Sequence, residues 1–587
     1  MNPESLVTTA EKVSSLKPYA SVERLENTQP SPPPQRRLIE CYCRLRDQHG
    51  PVLAMLTIAL LYLLMIDLKG IWTDEGFRFG MMNGGRLFLP PNSGFAASFA
   101  EVLSALKGAN HQPLYFLLMN FLSKIAHSHN IILFRMINIV FILCSQFIIL
   151  RITKDWRAPS KIYLLTVFAV NGYMFMHVLQ VREYPLGILF LLCVMKLTLM
   201  IVDYDERESP PKFQWLYVLY GTTVGLAAIN QFWIVPTLGG CVIFIMLYAR
   251  RKLAVLFGLC ISGIAFIVML SPVYFLTDLS NKVLVGHGNP RFVGHWDPRM
   301  TYEHLFSTLT SALGYFATGS VGTRWYVSLI PELTLSAALL VAVWVAISRM
   351  VLTSAVRELR TTGKLASLCL CILIILFGFQ WGYFFLIDGL ASWSRYYFQQ
   401  FCVLSILVSC ALSFANVRLD SPPVCKLGLT SLAVFRSSLI ISAIITSINS
   451  VISYRNNPYT DTILSKYCEW QGVTEDIQAF GGRGAKIIFS NRLAAQTAIA
   501  SGDFLAPIEV WEASTNADVP AQNVALLVNF PHMTPAEITK AAAKKLNDNG
   551  FSLVERATIL RRPVNLCYSG PSGEMLKFER IDGLYPK

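Results

Sequence analysis

Charge is what this chain has least of. Only 15% of its 587 residues are Asp, Glu, Lys or Arg, where an ordinary soluble globular protein carries about a quarter. That shortage excludes an ordinary soluble body. Metal-binding cysteine patterns are missing too: thirteen cysteines are present, yet none forms a CxxC or a Cys/His pair at zinc spacing. Many of them (Cys144, Cys193, Cys260, Cys369, Cys371, Cys410) stand inside apolar runs, where a thiol serves as a small apolar side chain. No internal repeat is visible, which removes support for an inverted-repeat transporter. A cleavable leader is not expected, because residues 1–50 are polar and contain Pro30-Ser31-Pro32-Pro33-Pro34-Gln35-Arg36-Arg37 before the first apolar run. This stretch is expected to be a disordered cytoplasmic tail.

What the chain has in abundance is uncharged apolar sequence. Hydrophobic residues make up 53% and the mean hydropathy is +0.46. Residues 253–277 run for 25 positions without a charge, and residues 213–249 for 37, room for two spans and a tight turn. About 20 apolar residues cross a bilayer as a helix, and backbone groups in lipid must bond within their own segment. Eleven spans are expected: 52–70, 131–150, 161–181, 184–203, 214–230, 232–249, 253–276, 330–348, 366–387, 396–415 and 431–452. The net charge of +13 reads as the positive-inside bias of short loops rather than as affinity for nucleic acid. Arg36, Arg37, Arg44 and Arg46, then Arg151, Lys154 and Arg157, then Arg250, Arg251 and Lys252, then Arg349, Arg357, Arg360 and Lys364, then Arg418 and Lys426 all fall on one side if the N-terminus is cytoplasmic. The acidic loop 204–213 is the exception. The apolar piece 111–126 is too short to span and reads as an interfacial or re-entrant helix on the outer face.

The last 130 residues change character. Strands are expected at 484–490, 523–529, 551–560 and 564–568. A helix follows residue 490, and another starts from Thr534 as N-cap with Pro535 and Glu537 behind it and ends near Gly550. Alternating strands and helices argue for a small α/β unit. The expectation is therefore a mainly α, polytopic membrane helix bundle (51–453) with a C-terminal α/β domain (454–587) on the outer side.

Several polar residues fall where this topology puts the outer surface. Asp74 and Glu75 follow the first span, His111 opens the short helix, Arg182 and Tyr184 occupy the turn after the third span, Gln231 and Trp233 the next outer turn, and Arg395 and Tyr396 the start of the tenth span. A single arginine at a bilayer edge can simply reach for headgroups. Carboxylates, arginines and aromatics gathered on one face suit an anionic, lipid-linked substrate, because guanidinium forks match phosphate oxygens. A carboxylate there can accept a proton from a hydroxyl or help hold a divalent cation. The loop 277–329 carries His287, His295 and His304 without zinc spacing, with Phe292, Trp296 and Trp325 as ring-stacking or interfacial aromatics.

The motifs stand in a telling order: Gly70-Ile71-Trp72-Thr73-Asp74-Glu75, His111-Gln112-Pro113-Leu114-Tyr115, Leu133-Phe134-Arg135-Met136-Ile137-Asn138, Gln180-Val181-Arg182-Glu183-Tyr184-Pro185-Leu186 and Ser394-Arg395-Tyr396-Tyr397. Over residues 50–415 this resembles the integral-membrane glycosyltransferases of the C fold, in the branch of the protein O-mannosyltransferases and the lipid A aminoarabinose transferases. The resemblance implies transfer of a sugar from a polyprenyl-phosphate donor to a lipid, glycan or protein hydroxyl on the non-cytoplasmic face, in a bacterial inner membrane or, alternatively, the endoplasmic reticulum. It implies Asp74 as base toward the acceptor hydroxyl, Glu75 as its partner, and His111, Arg182, Tyr184, Arg395 and Tyr396 around the donor. Some branches use a divalent metal, for which Asp74, Glu75 and His111 are the candidate ligands. Two departures stand out: Gln112 replaces the first proline of the histidine element, and Arg78 is offset from the arginine of the aminoarabinose branch. The competing readings are a transporter or flippase of lipid-linked sugars, for which Arg135, Lys196 and Arg436 are the charges inside spans, and a binding protein that recruits partners through its outer domain.

Overall fold

The computed structural model describes residues 34–66, 73–85, 94–107, 111–170, 174, 177–206, 213–231, 234–277, 357–386, 398–419, four helical positions between 437 and 448, 470–482, 484–492, 495–496, 508–511, 522–530, 536–558 and 573–581. Arg395, Tyr396, Trp233, the span 330–348, most of 431–452, the histidine loop beyond Thr277 and the expected strand 564–568 lie outside the described residues.

The apolar runs are helices. In chain order they are α1 (Pro34–Met65), α2 (Thr73–Met82), α3 (Phe99–Leu106), α4 (Pro113–Ala126), α5 (Ile131–Ile152), α6 (Ala158–Ala169), α7 (Tyr184–Asp205), α8 (Phe213–Asn230), α9 (Val235–Tyr248), α10 (Lys252–Thr277), α11 (Arg357–Leu386) and α12 (Phe398–Leu419). Among the described residues four segments are long and apolar enough to cross a membrane: Ile131–Ile152, Tyr184–Asp205, Lys252–Val273 and Arg360–Phe379. The chain is an integral membrane protein. Its bundle core is built from α1 and α5 to α12, with Leu191, Leu192, Phe244, Leu368 and Leu407 all fully or almost fully buried. Outward, α10 shows Leu253, Phe257, Ile264, Ile267 and Val268 to the surroundings, as a lipid-facing helix must. Of the described cysteines, Cys241, Cys369, Cys402 and Cys410 are buried in this core, Cys193 and Cys371 are half-buried, and Cys144 and Cys260 are exposed on its surface.

Two boundaries differ from expectation. Helix α1 begins at Pro34, inside the stretch read as a tail; proline suits a first helical turn and the residues after it are rich in Arg, Leu and Glu, good helix formers. Helix α6 stops at Ala169 rather than running to 181. Val170 already leaves helical geometry at φ −105°, ψ 73°, and the Asn171-Gly172 pair that follows is turn sequence. Residues 179–183 are consequently free of helix and form an irregular segment at the end of the bundle.

The acidic loop that broke the charge rule has an explanation. Asp205 Oδ2 accepts the backbone N–H of Arg250 at 2.5 Å, Arg360 Nη2 reaches Glu206 at 3.1 Å and Lys364 Nζ reaches Asp203 at 2.9 Å. The acidic end of α7 thus sits among the basic loops it seemed to contradict, all at one end of the bundle.

The C-terminal residues add α13 (Trp470–Gly481), β1 (Lys486–Phe489), β2 (Ile508–Val510), β3 (Val524–Asn529), α14 (Ala536–Asp548), β4 (Phe551–Thr558) and β5 (Glu574–Arg580). The strands form one sheet in the order β2-β1-β3-β5-β4. Pairing is parallel on either side of β1 and antiparallel between β3 and β5 and between β5 and β4. Alternate residues face opposite ways along a strand, and here both faces are covered. Ile488, Ala525, Leu527 and Phe578 pack with Ala542 and Leu546 of α14. Ile487, Phe489, Leu526, Val528 and Met575 share a second core with Phe79 and Met82 of α2, Val102 and Leu106 of α3, and Tyr115, Phe116 and Met119 of α4. Two-sided burial is why β1 and β3 read as continuous apolar runs.

Candidate functional site

Helix α2 decides where the site lies. Glu75, Arg78, Phe79 and Met82 recur at three- and four-residue intervals, so they share one face, and all four are buried. The apolar pair enters the core under the sheet. The charged pair meets the end of the bundle.

Glu75 is 1% exposed. Its Oε1 accepts the backbone N–H of Val181 at 2.8 Å, and its Oε2 lies 3.5 Å from Nη2 of Arg135. Arg135, in the second turn of α5, also donates through Nη1 to the carbonyl of Ile66 at 3.0 Å. One buried ion pair therefore fixes the end of α1, the start of α2 and the irregular segment before α7 against α5. A carboxylate and guanidinium can stay charged out of water only when they are paired and hydrogen-bonded in this way.

Arg78 makes the second pair. Its Nε and Nη2 reach the two carboxylate oxygens of Glu183 at 3.2 and 3.5 Å, a two-pronged guanidinium contact. Glu183 is the residue just before α7, and its carbonyl accepts from Asn230 Nδ2 at 3.1 Å. Burial alone would raise its carboxyl; the positive charges of Arg78, then His111, then Arg182 outweigh burial and hold it at about 2. Arg78, His111 and Arg182 thus surround one carboxylate at the N-terminus of a membrane-length helix.

Arg182 is fully buried. Its Nη1 lies 3.4 Å from the Tyr184 hydroxyl and its guanidinium stands 5.5 Å from the Tyr184 ring centre. The ring of His177 meets Tyr184 edge-on at 4.7 Å. His111 precedes α4, its ring between those of Phe77 (5.7 Å) and Phe116 (5.6 Å). Gln112, where a proline was expected, is extended at φ −82°, ψ 143°; that backbone is one a proline can also take, so the turn into Pro113 survives the exchange. Below it, Tyr115 donates to Asn138 Oδ1 at 3.2 Å, and Asn138 Nδ2 donates to the Gln180 carbonyl at 2.5 Å.

The structure thus brings Glu75, His111, Arg182 and Tyr184 together, although 109 positions separate the first from the last. Asp74 stands in the first turn of α2; its side chain, like Arg395 and Tyr396, lies outside the described residues. Three contributors went without a role in the sequence reading. Glu183 sits inside the Arg182–Tyr184 motif, and its place between those two was the available signal. Arg78 counted only as an offset from a family position, and Arg135 as a charge inside a span. Among the described residues no three His, Cys, Asp or Glu side chains converge to hold a metal, and Glu75 already faces a guanidinium. Of the three candidate ligands, Glu75 and His111 are among the described residues and the side chain of Asp74 is not.

No family model matches this sequence, and no curated protein matches it. Among solved structures the chain is similar to ArnT from Cupriavidus metallidurans bound to undecaprenyl phosphate, at 12% identity and a TM-score of 0.48 over 92% of this chain and 100% of that one. It is also similar to the oligosaccharyltransferase of Archaeoglobus fulgidus in its apo form, at 9% identity and a TM-score of 0.44 over 79% of this chain and 64% of that one. The same archaeal enzyme in complex with an inhibitory peptide and a dolichol-phosphate matches at 11% identity and a TM-score of 0.38.

Proposed function

We propose that this chain moves a sugar from a polyprenyl-phosphate donor to a hydroxyl acceptor on the non-cytoplasmic side of the membrane. The observation that carries the reading is the fully buried Arg182–Tyr184 pair at the N-terminus of α7, beside His111 and Arg78. The described side chains of this cluster hold three guanidinium groups (Arg78, Arg135, Arg182) and two carboxylates (Glu75, Glu183), a surplus of one positive charge. A helix N-terminus adds partial positive charge at the same place. Both favour a phosphate. Nothing about such a site requires the phosphate to be free: a membrane-embedded bundle is where a lipid-linked one would arrive.

In this reading Arg182 and Tyr184 hold the donor phosphate, with His111 beside them and Arg395 and Tyr396 contributing from the start of the tenth span. Asp74 takes the proton of the acceptor hydroxyl. The acceptor oxygen then bonds to the anomeric carbon, the bond from that carbon to the phosphate oxygen breaks, and polyprenyl phosphate leaves with the electron pair, stabilised by Arg182. Glu75 orients rather than reacts, since its oxygens serve Arg135 and Val181. The topology that goes with this is eleven spans, a division at 453/454, a bacterial inner membrane and a C-terminal domain on the outer face. The alternative of a flippase would need charges strung through the bilayer, whereas the buried Arg135 is committed to Glu75 at one end.

The test is transfer from a short-chain polyprenyl-phosphate sugar by the purified chain in liposomes. Asp74→Asn should lower the transfer rate by about 10²–10⁴-fold while donor binding persists. Full transfer by the variant would sink the role given to Asp74.

A further inference from the structure

A concavity lies on the other side of α2. Its volume is about 630 Å³, within the usual range for small-molecule sites. Phe77 and Met81 of α2, Glu101 and Ser104 of α3, and Arg492 and Gln496 of the C-terminal domain line it. Two observations tie it to the site already described. Phe77, which forms part of its wall, has its ring 5.7 Å from that of His111. Asp74 precedes Phe77 by three residues and Met81 by seven, so helical register puts it on the same side of α2.

The walls are built rather than incidental. Arg492 Nη2 donates to the Gly85 carbonyl at 2.9 Å, which holds the C-terminal domain's side of the cavity to the end of α2. Gln496 packs so closely on Gly80 that a Cβ there would overlap its amide. Glu101 is fixed as the reciprocal partner of Ser98 in the cap of α3, with its Oε2 accepting from the Ser98 N–H at 2.7 Å.

We propose that this cavity is the acceptor site and that the acceptor is a glycan. The inference rests on the glycosyltransfer reading above and names its substrate class. A carboxylate, a guanidinium, a carboxamide and a hydroxyl around one aromatic face are the groups that meet adjacent sugar hydroxyls in pairs, while the ring covers the C–H face of the sugar. Only Phe77 and Met81 among the lining residues are large and apolar, too few to house an acyl chain. The C-terminal domain, by supplying Arg492 and Gln496, then selects the acceptor while the bundle handles the donor.

The experiment uses the full-length chain in lipid nanodiscs, without donor. Binding of linear trisaccharides of glucose, mannose, galactose and N-acetylglucosamine, and of a Ser/Thr-containing decapeptide, is measured by calorimetry. At least one trisaccharide should bind. Arg492→Ala should weaken it by about tenfold or more, the scale of a lost charged hydrogen bond. Ser104→Trp, which fills the cavity from an exposed position on α3, should abolish binding without unfolding the chain and so guards against a fold defect in Arg492→Ala. The proposal is overturned if no trisaccharide binds, if binding survives Ser104→Trp, or if only the peptide binds and loses its affinity in both variants. Trisaccharide binding by a chain that transfers nothing in the liposome assay would sink the transferase reading and leave the cavity as a glycan-binding site. Transfer that is indifferent to Ser104→Trp would sink this one alone.

Discussion

The core of the helix bundle and the core beneath the C-terminal sheet are both apolar, yet the polar contacts that cross them differ in charge. In the bundle, buried hydroxyls bond either to their own helix, as Thr198 does to the carbonyl of Val194 and Ser405 to that of Phe401, or to a neighbouring one, as Tyr62 does to the carbonyl of Ala169 and Ser262 to that of Tyr217. None of these contacts carries a charge. Around the second core, buried polar groups reach across the chain: Glu75 to Arg135 and Val181, Arg78 to Glu183, Asn120 Nδ2 to the carbonyls of Met82 and Ala97. Shape, apolar contact and a few neutral hydrogen bonds align the bundle helices, whereas paired charges fix the seam between the cores. The proposed chemistry falls at the seam, where charged groups are positioned by several elements at once.

The comparison can be broken most forcefully at Glu75. Glu75→Ala strands Arg135 in the interior, a change worth about 3–5 kcal/mol. Chemical unfolding in detergent should show the sheet and α2 lost first, with bundle helicity retained. Simultaneous loss of both would mean that the two cores are one cooperative unit. Next come cavity variants in each core. Leu526→Ala and Leu407→Ala should each cost about 2–5 kcal/mol, the first exposing the C-terminal domain to protease and the second leaving that domain protected. Acid is a gentler probe. The carboxyl of Glu183 sits at about 2, below its ordinary 4.5, so its contribution is complete above pH 4.5 and is lost as pH falls toward 2. Tryptophan fluorescence followed from pH 6 to 2.5 should report this loosening, and Glu183→Gln should flatten it. Smallest of all is Lys364→Ala at the opposite end. Its partners Asp203 and Glu206 have side chains 51% and 21% exposed, and the cost should be about 1 kcal/mol in the same unfolding assay.

Much of this was legible from local pattern. Apolar runs located α5, α7, α8 and α10 within a residue or two, because a span in lipid leaves the backbone one solution. Strands β1 and β3 were visible as short apolar runs between turn residues. The gathering of Glu75, His111, Arg182 and Tyr184 followed from placing loops on one side. What escaped depends on contact between distant elements. The Glu75–Arg135 pair joins residues 60 positions apart across two helices, and periodicity within either helix carries no trace of it. Glu183 looked like one member of a turn until α2 brought Arg78 against it. The packing of Leu526 on Phe79 was hidden for the same reason, as were β2 (three residues) and β5, whose polar alternation gives a weak strand signal.

Helix α2 has ten residues, about 15 Å end to end. Its first turn is gripped through Glu75, and beyond its last turn Gly85 is gripped by Arg492. A rod held at both ends cannot tilt at one without moving the other. Any rocking of the C-terminal sheet against the bundle would therefore arrive at the opening turn of α2, with the sheet and that turn coupled as a single lever.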